Sequence, residues 1–169
     1  MYTHPLSKGH STPEGNQGKG SALIRVVIAD DHPQVRSALR HVLELEPDFE
    51  VVAEAEDGAR ALEEVVRTRP NLVVLDYRMP HLNGIQAARQ IGHVAPETAM
   101  VMLTSEDDPE VRAQAADAGV ASYILKSGRA DELLRTIRAA ARDSRERSIT
   151  VIVGSDHATE DNLSPPRIA

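Results

Sequence analysis

Short apolar runs recur along the chain about every 25 residues, and this regular spacing is its strongest structural constraint. The runs lie at residues 24–29, 50–54, 72–75, 99–103 and 121–125. The segments between them carry apolar residues at helical spacing, for example Val35, Leu39 and Val42. A strand followed by a helix of this combined length is one βα unit, so the sequence predicts five such units in succession.

The middle runs are apolar without alternation, which is typical of strands covered by helices on both faces. Five βα units with right-handed crossovers form a doubly wound α/β sandwich of three layers. We therefore predict a flavodoxin-like fold with five parallel strands in the order 2-1-3-4-5 and five helices. Pro33 and Pro109 can open helices, and Gly119 can end one, in agreement with this division.

The chain divides into one predicted domain and two tails. Residues 1–22 are rich in Gly, Ser, Pro and His without an apolar period, and we expect a disordered tail. Residues 23–143 form the domain, whose last helix is expected to end near Arg142. Residues 144–169 hold a short β-prone segment and then a flexible tail. The apolar run 149–153 is interpreted as a short strand or turn docked on the domain, as an edge strand pairing with another chain, or as an unstructured segment.

Composition excludes several classes of protein. The absence of Cys excludes disulfides and thiolate metal sites. The longest apolar runs are far shorter than the roughly 20 residues that span a membrane, and the N-terminus lacks a signal-type apolar core, so we expect a cytoplasmic protein. The formal charge is −7, and the charges of the two tails cancel, which leaves an acidic domain unsuited to nucleic-acid binding.

Five polar residues follow four of the apolar runs. Asp30 and Asp31 come after the first run, Asp76 after the third, Thr104 at the end of the fourth and Lys126 after the fifth. In an open parallel sheet, ligands bind just outside the carboxyl ends of the strands. Asp31 alone is equally well explained as a helix cap and Asp76 as a loop-initiating residue, but their joint placement predicts one acidic site.

Three converging carboxylates need compensating charge. Two unit charges 4 Å apart repel by about 4 kcal/mol at an effective dielectric near 20, so protonation or a cation is required. Hard oxygen ligands with room for water favour Mg²⁺. A metal, an amine and a hydroxyl beside a carboxylate suit phosphoryl transfer. Asp76, which stands alone on the central strand, is the best nucleophile, and the pair Asp30 and Asp31 is better suited to hold the metal.

Four stretches together resemble one known family, the receiver domains of response regulators. The stretches are Val27-Ile28-Ala29-Asp30-Asp31-His32-Pro33, Leu75-Asp76-Tyr77-Arg78-Met79-Pro80 with Asn83-Gly84, Leu103-Thr104-Ser105, and Tyr123-Ile124-Leu125-Lys126-Ser127. The resemblance covers about residues 24–142. It is strongest to the NarL/LuxR-type subgroup, whose members often carry a helix-turn-helix output domain.

The resemblance implies a phosphoacceptor in a two-component phosphorelay. It implies that Asp76 accepts a phosphoryl group from a sensor histidine kinase or a phosphotransfer protein. Asp30 and Asp31 would bind Mg²⁺ together with Asp76 and the backbone carbonyl of Arg78, and Lys126 would contact the phosphoryl group. The chain would then not be an enzyme beyond taking part in its own phosphorylation and dephosphorylation. A homodimer is compatible with this function.

The resemblance also implies a switch that couples the phosphoryl group to a protein-interaction surface. Thr104 would swing toward the phosphoryl group and Tyr123 would turn inward with it, while the small Ser105 leaves room for access. Ser127 departs from the proline found in many receivers, although this subgroup commonly lacks that proline. Only 27 residues follow Arg142, too few for a helix-turn-helix, so we expect no DNA binding by this chain alone.

Two rival functions remain open at this point. One is a phosphorylation-independent module that uses the receiver fold for interaction or dimerisation, against which the complete acidic set argues. The other is a phosphohydrolase with a catalytic Asp76. Such an enzyme usually carries a second acid just after the nucleophile, whereas Tyr77 and Arg78 follow here.

Several other polar residues allow two interpretations. His32, beside the acid pair, is either a metal ligand or a solvent-facing loop residue. The Arg78 side chain either lines the mouth of the site or is solvated. Arg135, Arg138 and Arg142 recur at helical spacing and form either a solvated face or part of a partner surface.

Overall fold

The computed structural model describes residues 23–154, with side chains described as far as Ser144. Strands and helices alternate throughout this part of the chain. The elements are β1 (Ile24–Ala29), α1 (Pro33–Glu44), β2 (Phe49–Ala55), α2 (Gly58–Thr68), β3 (Leu72–Asp76), α3 (Gly84–Val94), β4 (Ala99–Thr104), α4 (Pro109–Asp117), β5 (Ser122–Leu125) and α5 (Ala130–Gly154). Each strand coincides with a predicted apolar run to within one or two residues.

The five strands form one parallel sheet in the order β2-β1-β3-β4-β5, which confirms the predicted topology. Alternate residues of each strand enter two separate cores. Val27 and Val73 face a core shared with α2, α3 and α4, whereas Val26 and Val74 face a core shared with α1 and α5. Because both faces are covered, every residue of β3 is buried, as the unbroken apolar pattern predicted.

Short polar residues fix the helix starts on the acidic-site side of the sheet. Asp57 caps α2 by accepting the backbone N–H of Arg60 at 2.7 Å. Asn83 and Gln86 form a reciprocal capping box at the start of α3, with bonds of 2.9 and 3.0 Å. Asp108 accepts two backbone N–H groups of α4. These caps fix where the loops after β2, β3 and β4 end.

Helix α5 is longer than the sequence indicated, and two predictions about it are wrong. The helix continues past Arg142 to Gly154, so the run 149–153 is helical and is neither a docked strand nor an edge strand. No Gly or Pro interrupts the chain between Ala130 and Gly154, and nothing local therefore stops the helix. The β propensity of Ile and Val takes effect only where strand neighbours exist. The predicted tail 1–22, and residues 155–169 of the predicted C-terminal segment 144–169, lie outside the described residues.

Arg138 holds α5 against the loop between α1 and β2. Its guanidinium bonds Asp48 at 2.7 and 2.8 Å and Glu46 at 2.6 Å, and it lies 5.0 Å from the ring centre of Phe49. The interpretation of Arg135, Arg138 and Arg142 as a solvated face is therefore wrong for Arg138, whose guanidinium pairs within the domain. Arg135 instead pairs with Asp131 on its own helix and is exposed.

Within residues 23–154, no helix combines the length and the apolar character needed to cross a membrane. Helices α1, α2 and α3 are amphipathic, and α5, although long, carries charged residues through its first half.

The Arg138 contact predicts how stability depends on pH. The hydrogen bonds from Arg138 lower the pKa of Asp48. A carboxyl whose pKa is lowered on folding stabilises the native state above its unfolded pKa of about 3.9, and this contribution is lost as the pH falls through the folded pKa. We expect Asp48→Asn to lower the free energy of unfolding by about 1 kcal/mol at pH 7.

Urea unfolding at a series of pH values checks this prediction. The difference between the parent and Asp48→Asn should shrink as the pH falls through the lowered pKa of Asp48, because the parent carboxyl then becomes protonated as well. Asp143→Asn, an exposed substitution on α5, serves as the control and should have little effect at any pH. A pH-independent difference for Asp48→Asn would contradict the ion-pair explanation.

Candidate functional site

The polar residues predicted from the sequence do lie at the carboxyl edge of the sheet. Asp30 follows β1, Asp76 ends β3 and Thr104 ends β4. The register places Asp76 opposite Leu103 and Thr104 opposite Leu125, so neighbouring strands end at the same level. Strand ends in adjacent positions bring side chains from distant parts of the chain together.

Lys126 lies between two buried carboxylates. Its Nζ is 2.6 Å from Asp30 Oδ2 and 3.0 Å from Asp76 Oδ1. Asp30 is 1% exposed and Asp76 is 4% exposed. The contact with Asp30 is a charge contact rather than a well-aligned hydrogen bond, and Asp30 Oδ2 has no hydrogen-bond partner among the described residues. Burial opposes the charge on Lys126, but its contacts with Asp30 and Asp76 raise the pKa of the amine, which therefore stays protonated.

The Asp76 carboxyl is held in an environment that disfavours its charge. Burial raises the pKa of Asp76, Lys126 opposes this rise, and the negative charges of Asp30 and Asp31 add to it. The ionised form therefore depends on nearby positive charge. A cation bound beside the acids would add to what Lys126 alone provides.

Asp31 and His32 lie on the open side of the acid cluster. Asp31 lines a cleft of about 450 Å³ together with the loop residues after β3, among them Arg78 and Asn83. His32 Nδ1 lies 2.7 Å from Asp31 Oδ1 and 3.4 Å from Asp30 Oδ1. His32 is exposed yet contacts the acids, so both interpretations of this residue stay open.

The donor set fits a hard divalent cation such as Mg²⁺. Possible ligand atoms of Asp30, Asp31 and His32 lie within 4.8 Å of one another. Asp30 Oδ2 is buried and contacts Lys126 Nζ at 2.6 Å without a well-aligned hydrogen bond, so its second lone pair can still bind a cation. Asp31 borders the cleft, where water can complete the coordination shell. Arg78, whose carbonyl was the further predicted ligand, lines the same cleft.

The two predicted switch residues are joined through Glu106, a residue that the sequence analysis did not single out. The hydroxyl oxygen of Thr104 accepts the backbone N–H of Glu106 at 3.3 Å, and the Tyr123 hydroxyl donates to the Glu106 carbonyl at 2.7 Å. Thr104 is buried, whereas Tyr123 is half-buried with the Arg112 guanidinium 4.9 Å from its ring centre. The only signal for Glu106 in the sequence was its position two residues after Thr104.

The loop between β3 and α3 is packed against the end of β3 through a glycine. A Cβ added to Gly84 would lie 2.2 Å from the backbone carbonyl oxygen of Asp76, too close for any other residue. The Gly84 N–H also donates to the Tyr77 carbonyl at 3.0 Å. His81, in the same loop, takes the left-handed conformation with φ 62°. Gly84 thus sets the distance between α3 and the backbone of Asp76.

The chain is similar in sequence to the receiver domains of known response regulators. The family model for the response regulator receiver domain matches residues 26–138. The transcriptional regulatory protein DegU of Brevibacillus brevis is 34% identical over 119 residues, which is 70% of this chain and 50% of DegU. The uncharacterized transcriptional regulatory protein YhcZ of Bacillus subtilis is 41% identical over 113 residues, which is 67% of this chain and 53% of YhcZ.

A solved structure gives the same result at the level of the fold. The signal receiver domain of the putative response regulator NarL from Mycobacterium tuberculosis superposes with a TM-score of 0.69 at 34% identity, covering 72% of this chain and 98% of that domain. The chain spans about half the length of the curated relatives it matches. The match therefore describes the part that these proteins share, not the whole of them.

The close approach of Gly84 to Asp76 makes a testable prediction. Gly84→Ala should destabilise the domain by about 1–3 kcal/mol in urea unfolding, because the added methyl group meets backbone rather than a flexible side chain. Gly92→Ala, in the same helix, is the matched control, since its nearest neighbours would be 3.8 Å away. That substitution should stabilise the domain by up to about 1 kcal/mol. Equal effects at the two positions would contradict the packing argument.

Proposed function

The chain belongs to the response regulator receiver family, with relatives of the NarL/LuxR type, and from this we propose that Asp76 is the phosphoacceptor of a two-component phosphorelay. The observation that carries the proposal is the buried Asp76 carboxylate at the end of the central strand, with the Lys126 ammonium 3.0 Å away. Asp76 and Lys126 belong to separate strand–helix units. Their convergence is therefore a property of the fold and not of one local motif.

Asp76 is the acid best placed to act as nucleophile. Among the described residues, its carboxylate makes one ion pair, through Oδ1 to Lys126, which leaves Oδ2 for attack. Asp30 is engaged at both oxygens, since Oδ1 accepts the His32 N–H at 2.9 Å and Oδ2 faces Lys126. Asp31 is paired with His32.

The transfer step is a simple exchange of bonds at phosphorus. Asp76 Oδ2 forms the new P–O bond while the P–N bond of a phosphohistidine donor breaks. The electron pair of that bond returns to the histidine nitrogen, which takes its proton from solvent. Lys126 is positioned to contact the phosphoryl oxygens, and its raised pKa keeps it charged for that purpose. The donor is a sensor histidine kinase or a phosphotransfer protein.

Asp30, Asp31, Asp76 and the Arg78 carbonyl are the groups that would hold Mg²⁺. When bound, the ion supplies positive charge that offsets the charge of the transferring phosphoryl oxygens. The excess of negative charge among Asp30, Asp31 and Asp76 over Lys126, and the raised pKa of Asp76, both support a cation at this place. We expect weak binding, because much of the coordination shell remains water.

Phosphorylation works here as a switch rather than as a catalytic cycle. It adds about −1.5 to −2 charges at Asp76. The Thr104 hydroxyl would donate to a phosphoryl oxygen, and Tyr123 would follow into the vacated space. This biases the surface formed by α4, β5 and α5 between two arrangements, which a partner or a second copy of the chain distinguishes. We propose that the protein acts in the cytoplasm. The DNA binding of transcriptional regulators is not part of the function that we propose for residues 23–154.

Asp76→Asn tests the acceptor directly. Incubation of the parent chain with acetyl phosphate and Mg²⁺ should add one acid-stable, base-labile phosphate, detected by intact mass. The substitution should abolish labelling, because an amide oxygen is a poor nucleophile, while leaving the fold intact by circular dichroism. Asp57→Asn is the matched control, since Asn caps a helix as well as Asp does, and it should label normally. Labelling that persisted in Asp76→Asn would refute the assignment.

Asp31→Asn tests the cation site independently of phosphorylation. Amide signals next to residues 30, 31 and 76 should shift on Mg²⁺ titration of the parent, with a midpoint on the order of millimolar. Loss of one ligand carboxylate should raise that midpoint by on the order of tenfold or more. Asp57→Asn again serves as the control. An unchanged midpoint in Asp31→Asn would show that the ion binds elsewhere.

A further inference from the structure

Arg36 reaches back from the first turn of α1 to the backbone of Asp30. Helical side chains lean toward the N-terminus of their helix, and this lean carries the Arg36 guanidinium over the start of α1. Its Nη1 atom donates to the carbonyl oxygen of Asp30 at 2.6 Å, and the side chain is 16% exposed. A mostly buried cation is therefore bonded to the backbone beside the acid cluster.

The end of β2 holds this arginine in place. Glu54 Oε2 lies 3.3 Å from Arg36 Nε, so one guanidinium bonds a carboxylate and a backbone carbonyl at once. The N–H of Asp30 donates to the carbonyl of Ala55 at 3.1 Å. Both backbone groups of Asp30 are thus tied to the end of β2, one directly and the other through Arg36.

The carbonyl that Arg36 binds belongs to the peptide that joins Asp30 to Asp31. A peptide is planar, so a bond to its oxygen fixes the direction from the Cα atom of Asp30 to that of Asp31. The Asp30 side chain is held separately, by the His32 N–H at 2.9 Å and Lys126 Nζ at 2.6 Å. The Asp31 side chain is 35% exposed and pairs with His32. The orientation of Asp31 therefore depends on this peptide more than that of Asp30 does.

We propose that Arg36 is a positioning residue of the cation site, which prepares Asp31 to bind Mg²⁺ by fixing the Asp30–Asp31 peptide. Arg36 acts through the backbone, because within residues 23–144 its guanidinium pairs with Glu54 and not with the carboxylate of either aspartate. The inference rests on the proposed function, and it adds a residue of α1 to the groups that prepare the same site.

The sign of the effect separates positioning from simple electrostatics. Arg36 carries a positive charge near the acids, so its charge alone opposes a bound cation, and removing that charge would strengthen Mg²⁺ binding. Positioning makes the opposite prediction. Loss of the bond lets the peptide turn, and Mg²⁺ binding becomes weaker because Asp31 must then be ordered when the ion binds.

The size of the effect follows from what such partners contribute elsewhere. Loss of a group that orients a metal ligand typically lowers metal affinity by roughly 10- to 100-fold. The Arg36 side chain is not fully buried, so water can replace part of its bond to the carbonyl. We therefore expect loss of Arg36 to raise the Mg²⁺ midpoint by about three- to tenfold.

The test is a Mg²⁺ titration of the full chain, followed through the amide signals of residues 30, 31 and 76. Arg36→Met keeps an unbranched stem without charge or donor, and it should raise the midpoint by about three- to tenfold. Arg36→Lys keeps the charge but lacks the planar fork that bonds Asp30 and Glu54 together, so it should raise the midpoint as well. Electrostatics alone predicts a lower midpoint for the first variant and the parent midpoint for the second.

Arg40 offers a matched control one turn further along α1. It also pairs with Glu54, and its side chain is 37% exposed, but its guanidinium bonds Glu44 instead of the Asp30 carbonyl. Arg40→Met removes the same charge and an ion pair to the same carboxylate. Its midpoint should stay within about twofold of the parent value, as expected for a partly exposed pair.

Three results would overturn the positioning role of Arg36 and leave the cation site standing. They are a midpoint in Arg36→Met that falls or stays at the parent value, an equal rise in Arg40→Met, and a parent midpoint in Arg36→Lys. If Arg36→Met does not fold, the comparison of Arg36→Lys with Arg40→Met decides the matter. A parent chain whose signals at residues 30, 31 and 76 do not respond to Mg²⁺ would overturn the proposed cation site as well.

Discussion

A lysine ammonium between two buried carboxylates is the interaction on which the site depends. Asp30 and Asp76 are almost inaccessible to water, and burying either charge alone would be strongly unfavourable. Lys126 contacts both at once and compensates part of this cost. Part of it remains, because burial still raises the pKa of Asp76 and one oxygen of Asp30 lacks a hydrogen bond. The site is thus left with excess negative charge, which makes it receptive to cations.

The sheet makes this arrangement possible because strand ends are rigid places to hold side chains. The residues of β3 are buried on both faces, so Asp76 is fixed by packing that begins several residues before it. Parallel pairing with β1 and β4 brings Asp30 and Thr104 to the same edge. Loops with capped helices then close around them. The loops that border the site are in this way attached to a buried, closely packed sheet.

The sequence predicted the sheet well because the information was periodic. Five apolar runs separated by helical patterns leave few alternatives for strand order, and the polar residue after each run could be assigned to one edge without knowing any distance. The same reasoning failed for the run 149–153, where Ile and Val suggested a strand. Residue preference there gave no information on whether a neighbouring strand existed to pair with.

The sequence did not reveal which side chains contact each other, either in the site or elsewhere in the domain. Arg138 resembled any surface arginine until its bonds to Asp48 and Glu46 became visible, because these residues are about 90 positions away. Glu106 was hidden for the same reason, since its importance comes from Arg78 and Tyr123 and not from a motif of its own. Contacts between distant residues depend on exact loop geometry, which apolar periodicity does not encode.

The contact between Gly84 and the Asp76 carbonyl makes the surroundings of Asp76 unequally stiff. On the α3 side, backbone meets helix with no space between them, and Met102 closes the remaining gap. On the α4 side, the helix buries only Val111 and Ala115, and its loop is held by surface ion pairs. A structural change at Asp76 is therefore resisted by close packing on the α3 side and accommodated more easily on the α4 side. Strain at Asp76 is therefore relieved on the side that deforms more easily, which is the side of α4 and its loop.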